Sequence, residues 1–275
     1  MKKSRLSTFL LILVLLLGLS LVLYPSFSDY WNSLHQSRAI ATYVEEVAHL
    51  DENQYQHIWD DALAYNRELL ERPDAYLLTD AMMEQYRNQL NISGNGIMGY
   101  IEIPMIGVFL PIHHTVAESV LQTAVGHIEW SSLPTGGEST HCVLSGHRGL
   151  PSAKLFSDLD KVREGDLFTL RVLDELLTYE VDQILIVEPH ETEELLVQKG
   201  KDLVTLGTCT PYGINSHRLL IRGHRVANVP EAVELRVVSD AVQVEPLIVA
   251  PFVAIPLLLL LLILAGFTDL FRRKK

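Results

Sequence analysis

DLVTLGTCTPYGINSHRLLIRGHR, residues 202–225, decides how this chain is built. Asp202 to Cys209 is a short β-branched and apolar segment, TPYGINS supplies Pro, Gly and Asn for a turn, and HRLLIRGHR resumes an alternating pattern. The reading is strand, loop, strand. Cys209 closes the first strand and Arg218 opens the second, with Arg222 and Arg225 further along.

Upstream the period-two pattern persists. GIMGYIEIP, VFLPIHH, HCVLSGH, LFTLRVL and LLTYEVDQILIVEP are short, β-rich and bounded by Gly, Pro or charged turns. Short helices are expected between them: at ESVLQTAV, with Thr115 and Glu118 as a capping box, in PSAKLFSDLDKV, and in ETEELLVQKG up to Gly200. Many short strands with few helices predict a mainly β barrel or sandwich over residues 93–230. Before it, residues 25–92 read as a helical arm, with two amphipathic helices between Asp29 and Arg72 joined near Asp51.

The two ends are different in kind. Leu6 to Tyr24 is nearly unbroken apolar sequence after MKKSR, about the length that crosses a ~30 Å hydrocarbon core. Residues 246–267 repeat the pattern before RRKK, with residues 231–245 as a linker. Basic tails at 1–5 and 268–275 predict two membrane spans, both termini cytosolic and the middle outside. Setting aside Lys2, Lys3, Arg5, Arg272, Arg273, Lys274, Lys275 and Asp269, the rest holds 15 basic and 33 acidic residues, a net of −18. That field excludes nucleic acid as a partner, since phosphate contacts need positive charge.

Cys142 and Cys209 are the two cysteines. On the outer side of a membrane they read equally as one disulfide or as two thiols. If the strands ending in His147 and Cys209 finish at one rim, Cys142 lies ~16 Å back along its strand, beyond the ~7 Å a disulfide allows. A free Cys209 suits nucleophilic chemistry, which needs a thiolate, a proton donor and a group facing the oxyanion. Among eleven histidines, His147 has the strand-to-loop position such a donor needs. His35, His49 and His57 lie on solvated helical stretches, and His113 and His114, adjacent on a strand, cannot chelate one metal. His127, His217 and His224 stay open. Arg218 lies nearest the loop, whereas Arg222 and Arg225 read as partners of the acidic surface.

TLGTC, the arginine nine residues beyond it in HRLLIRGHR, and SGHRGLP about sixty residues upstream together resemble the sortase family of Gram-positive bacteria. NGIMGYIEIPMIGVFLPIHH, VGHIEWSSLPTGGEST and CTPYGINSHRLLIRGHR resemble its class C, pilin-polymerising branch more closely. The resemblance covers roughly residues 93–226. It implies an eight-stranded barrel with Cys209 as nucleophile, His147 as general acid/base and Arg218 as oxyanion or substrate-positioning group. It further implies cleavage of a Leu-Pro-x-Thr-Gly-like sorting signal through a thioester, then transfer to a pilin lysine. The alternative acceptor is the amine of a cell-wall precursor, as in housekeeping sortases.

Class C enzymes carry an Asp-Pro-aromatic lid. Here RPDAY, within the expected lid at about 73–80, offers Asp74 and Tyr76 with Ala75 in the proline position. Trp130 and Cys142 stand where smaller or hydroxyl side chains are expected. A non-catalytic wall-associated protein is the reading from another class, but SDAVQVEPLIVAP holds no sorting pentapeptide before the span. No metal set, phosphate loop or dinucleotide fingerprint occurs, and no cofactor is implied.

Overall fold

The computed structural model describes residues 2–72 and 76–228. Asp74 and the expected second span, residues 246–267, lie outside the described residues.

The chain opens with α1, Lys2–Ala48, which runs through Pro25 without a break. Within its stretch from Leu11 onward an 18-residue window has mean hydropathy 2.2 and no burial, so the helix is long and apolar enough to cross a membrane. The apolar segment and the first arm helix are therefore one rod of roughly 70 Å. Its lower half docks by polar bonds: Asn32 Nδ2 donates to the Ser152 carbonyl at 2.7 Å and Gln36 Nε2 to that of Thr123 at 2.7 Å. Further on, the Tyr43 hydroxyl donates to the Met98 carbonyl and accepts from the Leu173 amide, while Ile40 and Tyr43 pack on Ile97 and Tyr100.

α2, Glu52–Leu70, starts where the sequence places a joint. Asp51 caps it, accepting from the Gln54 amide while Gln54 reaches back to the Asp51 amide. Ala62 and Tyr65 pack against Tyr86, Leu90, Met98 and Leu133. α3, Asp80–Asn88, is capped by Thr79 and brings Tyr86 into that cluster.

The β domain comprises β1 (Ile97–Ile103), β2 (Val108–His114), β3 (Val125–His127), β4 (Thr140–Ser145), β5 (Leu167–Val172), β6 (Glu175–Val187), β7 (Asp202–Thr210) and β8 (His217–Val226), with α4, Glu118–Leu121, between β2 and β3. They close into a barrel in the order β1-β2-β3-β4-β7-β8-β6-β5. β2–β3 and β4–β7 are parallel and the remaining neighbours antiparallel. The parallel β4–β7 pair needs a long crossover, which residues 146–201 supply with β5 and β6. Alternate residues from the strands, Ile101, Leu144, Leu170, Val204 and Ile221 among them, fill the interior.

The fold departs from the sequence pattern at four places. β3 has only three residues, too few to show a period. Thr115 is no helix cap: its φ of 67° is left-handed, α4 starts after Ala117, and Glu118 pairs instead with Gln122. PSAKLFSDLDKV forms only a 3₁₀ turn, Leu159–Lys161, because Leu155, at a φ of 40°, turns the backbone out of helical geometry as Ala153, Leu155, Phe156 and Leu159 enter the barrel core. Likewise ETEELLVQKG holds only a 3₁₀ turn, Glu193–Leu195.

Candidate active site

Cys209 and Arg218 are direct partners on the antiparallel β7–β8 ladder. Such pairing sets their Cα atoms about 4.5–5.5 Å apart. On β7 Val204 and Leu206 point into the barrel, so Cys209, at odd spacing, points out. Arg218 shares that outer side, since Leu219 and Ile221 point inward. Its Nη1 donates to the carbonyls of His217 (3.1 Å) and Asn215 (3.3 Å), which tie the guanidinium to the start of β8.

β4 and β7 run parallel with Ser145 opposite Gly207. The ladder continues one step as the Gly146 amide donates to the Gly207 carbonyl at 3.1 Å. His147 therefore follows β4 as Cys209 follows Gly207, on the same rim and by parity on the same face. Two bonds hold the bend: Thr208 Oγ1 donates to the Gly146 carbonyl at 2.7 Å, and the Phe156 amide to that of His147 at 3.1 Å. A glycine is required before His147, because a Cβ on Gly146 would sit 2.7 Å from the Phe156 ring. His147 is about one-quarter exposed, and Glu118 Oε2 lies 3.4 Å from its Nε2, an ionic contact without hydrogen-bond alignment. The Gln122 hydrogen bond and then the nearby imidazole hold the Glu118 carboxyl below its ordinary range.

Both cysteines are free. Cys142 pairs with Val204, five residues down β7 from Cys209, so the shared-rim condition is met and no bridge can form. Cys142 is 2% exposed within the core, and burial, with the Asp202 charge, pushes its thiol well above the usual range. The resulting thiol is inert.

Below the Cys209–Arg218 pair, on the same outer face, Val143, Leu195 and Leu220 form an apolar strip flanked by Trp130, Leu185 and Val187. Tyr76 reaches this strip: its ring meets that of Trp130 edge-on at 4.8 Å, and its hydroxyl lies 3.0 Å from Thr192 Oγ1. Its lid partner Asp74 is outside the described residues.

Except for His217, which pairs with Thr210 next to the Cys209–Arg218 pair, the other candidates lie away from this rim. Arg222 pairs with Asp182 through two bonds of 3.0 and 3.1 Å, as the acidic-surface reading expects. Arg225 instead lies over the Tyr179 ring at 5.6 Å. His127 is fully buried and hydrogen-bonded to the Tyr86 hydroxyl and near the Ser132 carbonyl. His224 lies 3.8 Å from Asp182, and His217 meets Ser216. His113 and His114 sit on β2, where His114 faces the carbonyls of Gly96 and Gln89. Among the described residues no cluster of His, Cys, Asp or Glu could hold a metal ion.

Sequence reasoning missed Glu118, 29 residues from His147, and Arg148. Arg148 stands in the SGHRGLP motif, yet nothing local distinguishes it from a surface arginine. In the fold its side chain is 9% exposed and its Nη2 lies 2.6 Å from Asp160.

Residues 101–226 match the family described as the sortase domain. Among solved structures, sortase C1 of Streptococcus agalactiae is 52% identical, covering 70% of this chain and 100% of its own at a TM-score of 0.68. Sortase C of Streptococcus pneumoniae is 44% identical over 70% of this chain and 97% of its own, TM-score 0.63. Clostridium perfringens sortase C, solved with the C-terminal cell wall sorting motif, is 41% identical over 70% and 100%, TM-score 0.62. Sortase D of Bacillus subtilis (strain 168) is 33% identical over 131 residues, 46% of this chain, and the match spans 63% of that protein. With a whole solved domain matched at half its residues and the barrel and cysteine-bearing rim in place, this chain belongs to the sortase family and is a cysteine transpeptidase of the class C kind.

Proposed function

We propose that this chain is a membrane-anchored class C sortase that assembles pilin subunits outside the cell. The observation that carries the reading is the cross-strand Cys209–Arg218 pair with His147 on the same rim. In the proposed cycle the Cys209 thiolate attacks the Thr–Gly carbonyl of a Leu-Pro-x-Thr-Gly-like signal. Arg218 faces the oxyanion and the peptide, a task suited to a fixed-charge planar donor. His147 gives its proton to the departing glycine amine, leaving a thioester. A pilin lysine amine then displaces the sulfur and forms an isopeptide bond.

Several observations support the parts. The strip of Val143, Leu195 and Leu220 offers an apolar floor to an extended peptide leading up to Cys209. The solved Clostridium perfringens counterpart is described with a sorting motif, and the Streptococcus pneumoniae one is discussed for pilin substrate specificity. Tyr76 over Trp130 has the position of a lid on that floor. The apolar start of α1 suits an anchor, with the barrel outside and the termini cytosolic.

The test is an acyl-enzyme trap. The full chain in detergent is mixed with a sorting-signal peptide and analysed by mass spectrometry. A thioester on Cys209, absent in Cys209→Ala, supports the reading, and no adduct overturns it. Adding a candidate pilin then separates polymerisation, seen as a covalent ladder, from anchoring to a wall-precursor amine, which yields none.

A further inference from the structure

The Cys209 rim has two faces, and the cysteine points to the outer one. On the inner side, Thr210, Leu219 and Ile221 turn toward the open barrel end, where a cavity of about 430 Å³ lies. Its apolar wall is Val162, Ile184, Ile186, Leu219 and Ile221. Ile186 is 65% exposed, a large apolar side chain left at the mouth.

The polar side of the cavity belongs to Arg148, the residue after His147. Its Nη2 lies 2.6 Å from Asp160, its Nη1 donates to Thr210 Oγ1 at 3.3 Å, and its Cζ stands 6.0 Å from the centre of the Tyr212 ring. Thr210, Tyr212 and Asp160 line the same cavity. The side chain is nine-tenths buried, and these contacts fix the guanidinium as the polar edge of the cavity.

A transpeptidase must admit a second substrate while the first is still attached. The acylated signal occupies the outer strip, so the incoming amine needs a different approach to the same carbonyl. The cavity lies one residue from Cys209 through Thr210 and one from His147 through Arg148. It is the concave, apolar surface with a polar edge that a short peptide segment requires.

We propose that this barrel-mouth cavity is the acceptor site. An apolar side chain beside the acceptor lysine sits among Ile184, Ile186 and Leu219, and the main chain of that segment runs along the edge of the Arg148 guanidinium. The neutral lysine Nζ then attacks the thioester carbonyl carbon: a C–N bond forms, the C–S bond breaks, the amine proton passes to His147 and the Cys209 thiolate is released. The proposal rests on the transpeptidase reading above and adds where the acceptor binds.

The test separates the two half-reactions. Full chain is acylated with a sorting-signal peptide, then offered N-acetyl-valyl-lysine methylamide or N-acetyl-glycyl-lysine methylamide as probes, and isopeptide and hydrolysed products are counted by mass spectrometry. The valyl probe should be preferred about tenfold, the scale of a few buried methyl groups. Ile186→Asp should cut aminolysis about tenfold while acylation stays within about threefold. Leu185→Asp, one residue away on the opposite face, should do the reverse. Arg148→Lys, which keeps the charge but loses the planar edge braced by Asp160 and Thr210, should raise the acceptor KM more than it lowers the acylation rate. Equal use of both probes, or an unchanged product ratio in Ile186→Asp, overturns the proposal. So does slower acylation at a constant ratio, which would assign the cavity to the sorting signal. Failure of the unaltered chain to form any adduct sinks the transpeptidase reading itself, a result visible before any acceptor is added.

Discussion

Cys209 and Arg218 stand opposite each other on one antiparallel ladder, so backbone pairing, and not loop packing, sets their Cα atoms side by side. The spacing is as rigid as the barrel. Arg218→Lys keeps a charge but not the fork, and single-turnover acylation should fall by about 10²–10³, the usual effect of losing one oxyanion donor. A loss below threefold would show that Arg218 does not face the reacting carbonyl.

The two thiols should behave as opposites. Cys142 is buried in the core with its thiol raised well above the usual range, whereas Cys209 is half-buried at the rim. Native protein should take up one equivalent of iodoacetamide near pH 8, on Cys209, and a second only after unfolding. Cys142→Ala should keep acylation activity. It should lower stability by about 1–2 kcal/mol through the cavity it leaves, read from denaturant midpoints.

Tyr76 holds its place through the edge contact to Trp130 and the hydroxyl pair with Thr192. Such an aromatic pair contributes about 0.5–1.5 kcal/mol. Tyr76→Ala should therefore speed labelling of Cys209 by roughly three- to tenfold. Thr192→Val, which removes only the hydroxyl pair, should give a smaller increase. An unchanged labelling rate in both variants would mean that Tyr76 does not restrict access to the sulfur.

Acid should unfold the protein partly through its buried histidines. Burial lowers His127 from 6.5 to about 4, outweighing the opposing Ser132 hydrogen bond, and lowers His113 to about 4 as well. In the unfolded chain these imidazoles bind protons below about 6.5, whereas the native state refuses them until about 4. Stability is therefore fully present above the unfolded value and drains away as pH falls through that window. His127 alone is worth roughly 3 kcal/mol across it. Urea midpoints for His127→Gln should vary less between pH 7 and 4 than those of the unaltered chain, even though the variant starts lower. Parallel curves would refute the assignment.

The alternating residues of DLVTLGTC and HRLLIRGHR specify two strands because each places apolar side chains on one side only, and that is visible without coordinates. The same holds for α2, whose Asp51 and Gln54 are a local capping signal. Resemblance of TLGTC, SGHRGLP and the arginine nine residues on singled out Cys209, His147 and Arg218, although spacing alone left a disulfide equally open. What failed to show was short or interrupted: β3 has no room for a period, and the helical spacing of PSAKLFSDLDKV is broken by the left-handed backbone at Leu155.

The sequence by itself determined most of the strands, the apolar N-terminal segment and the residue types able to perform the chemistry, since periodicity, hydropathy and motif are local. Only the tertiary structure decided that β4 and β7 run parallel in a register that brings residues 147 and 209 to one rim and leaves Cys142 behind. It alone placed Glu118 beside His147, and turned Arg148 inward toward Asp160 and Thr210. These relations join residues 12 to 62 positions apart, and only barrel closure, which no segment encodes alone, brings them together.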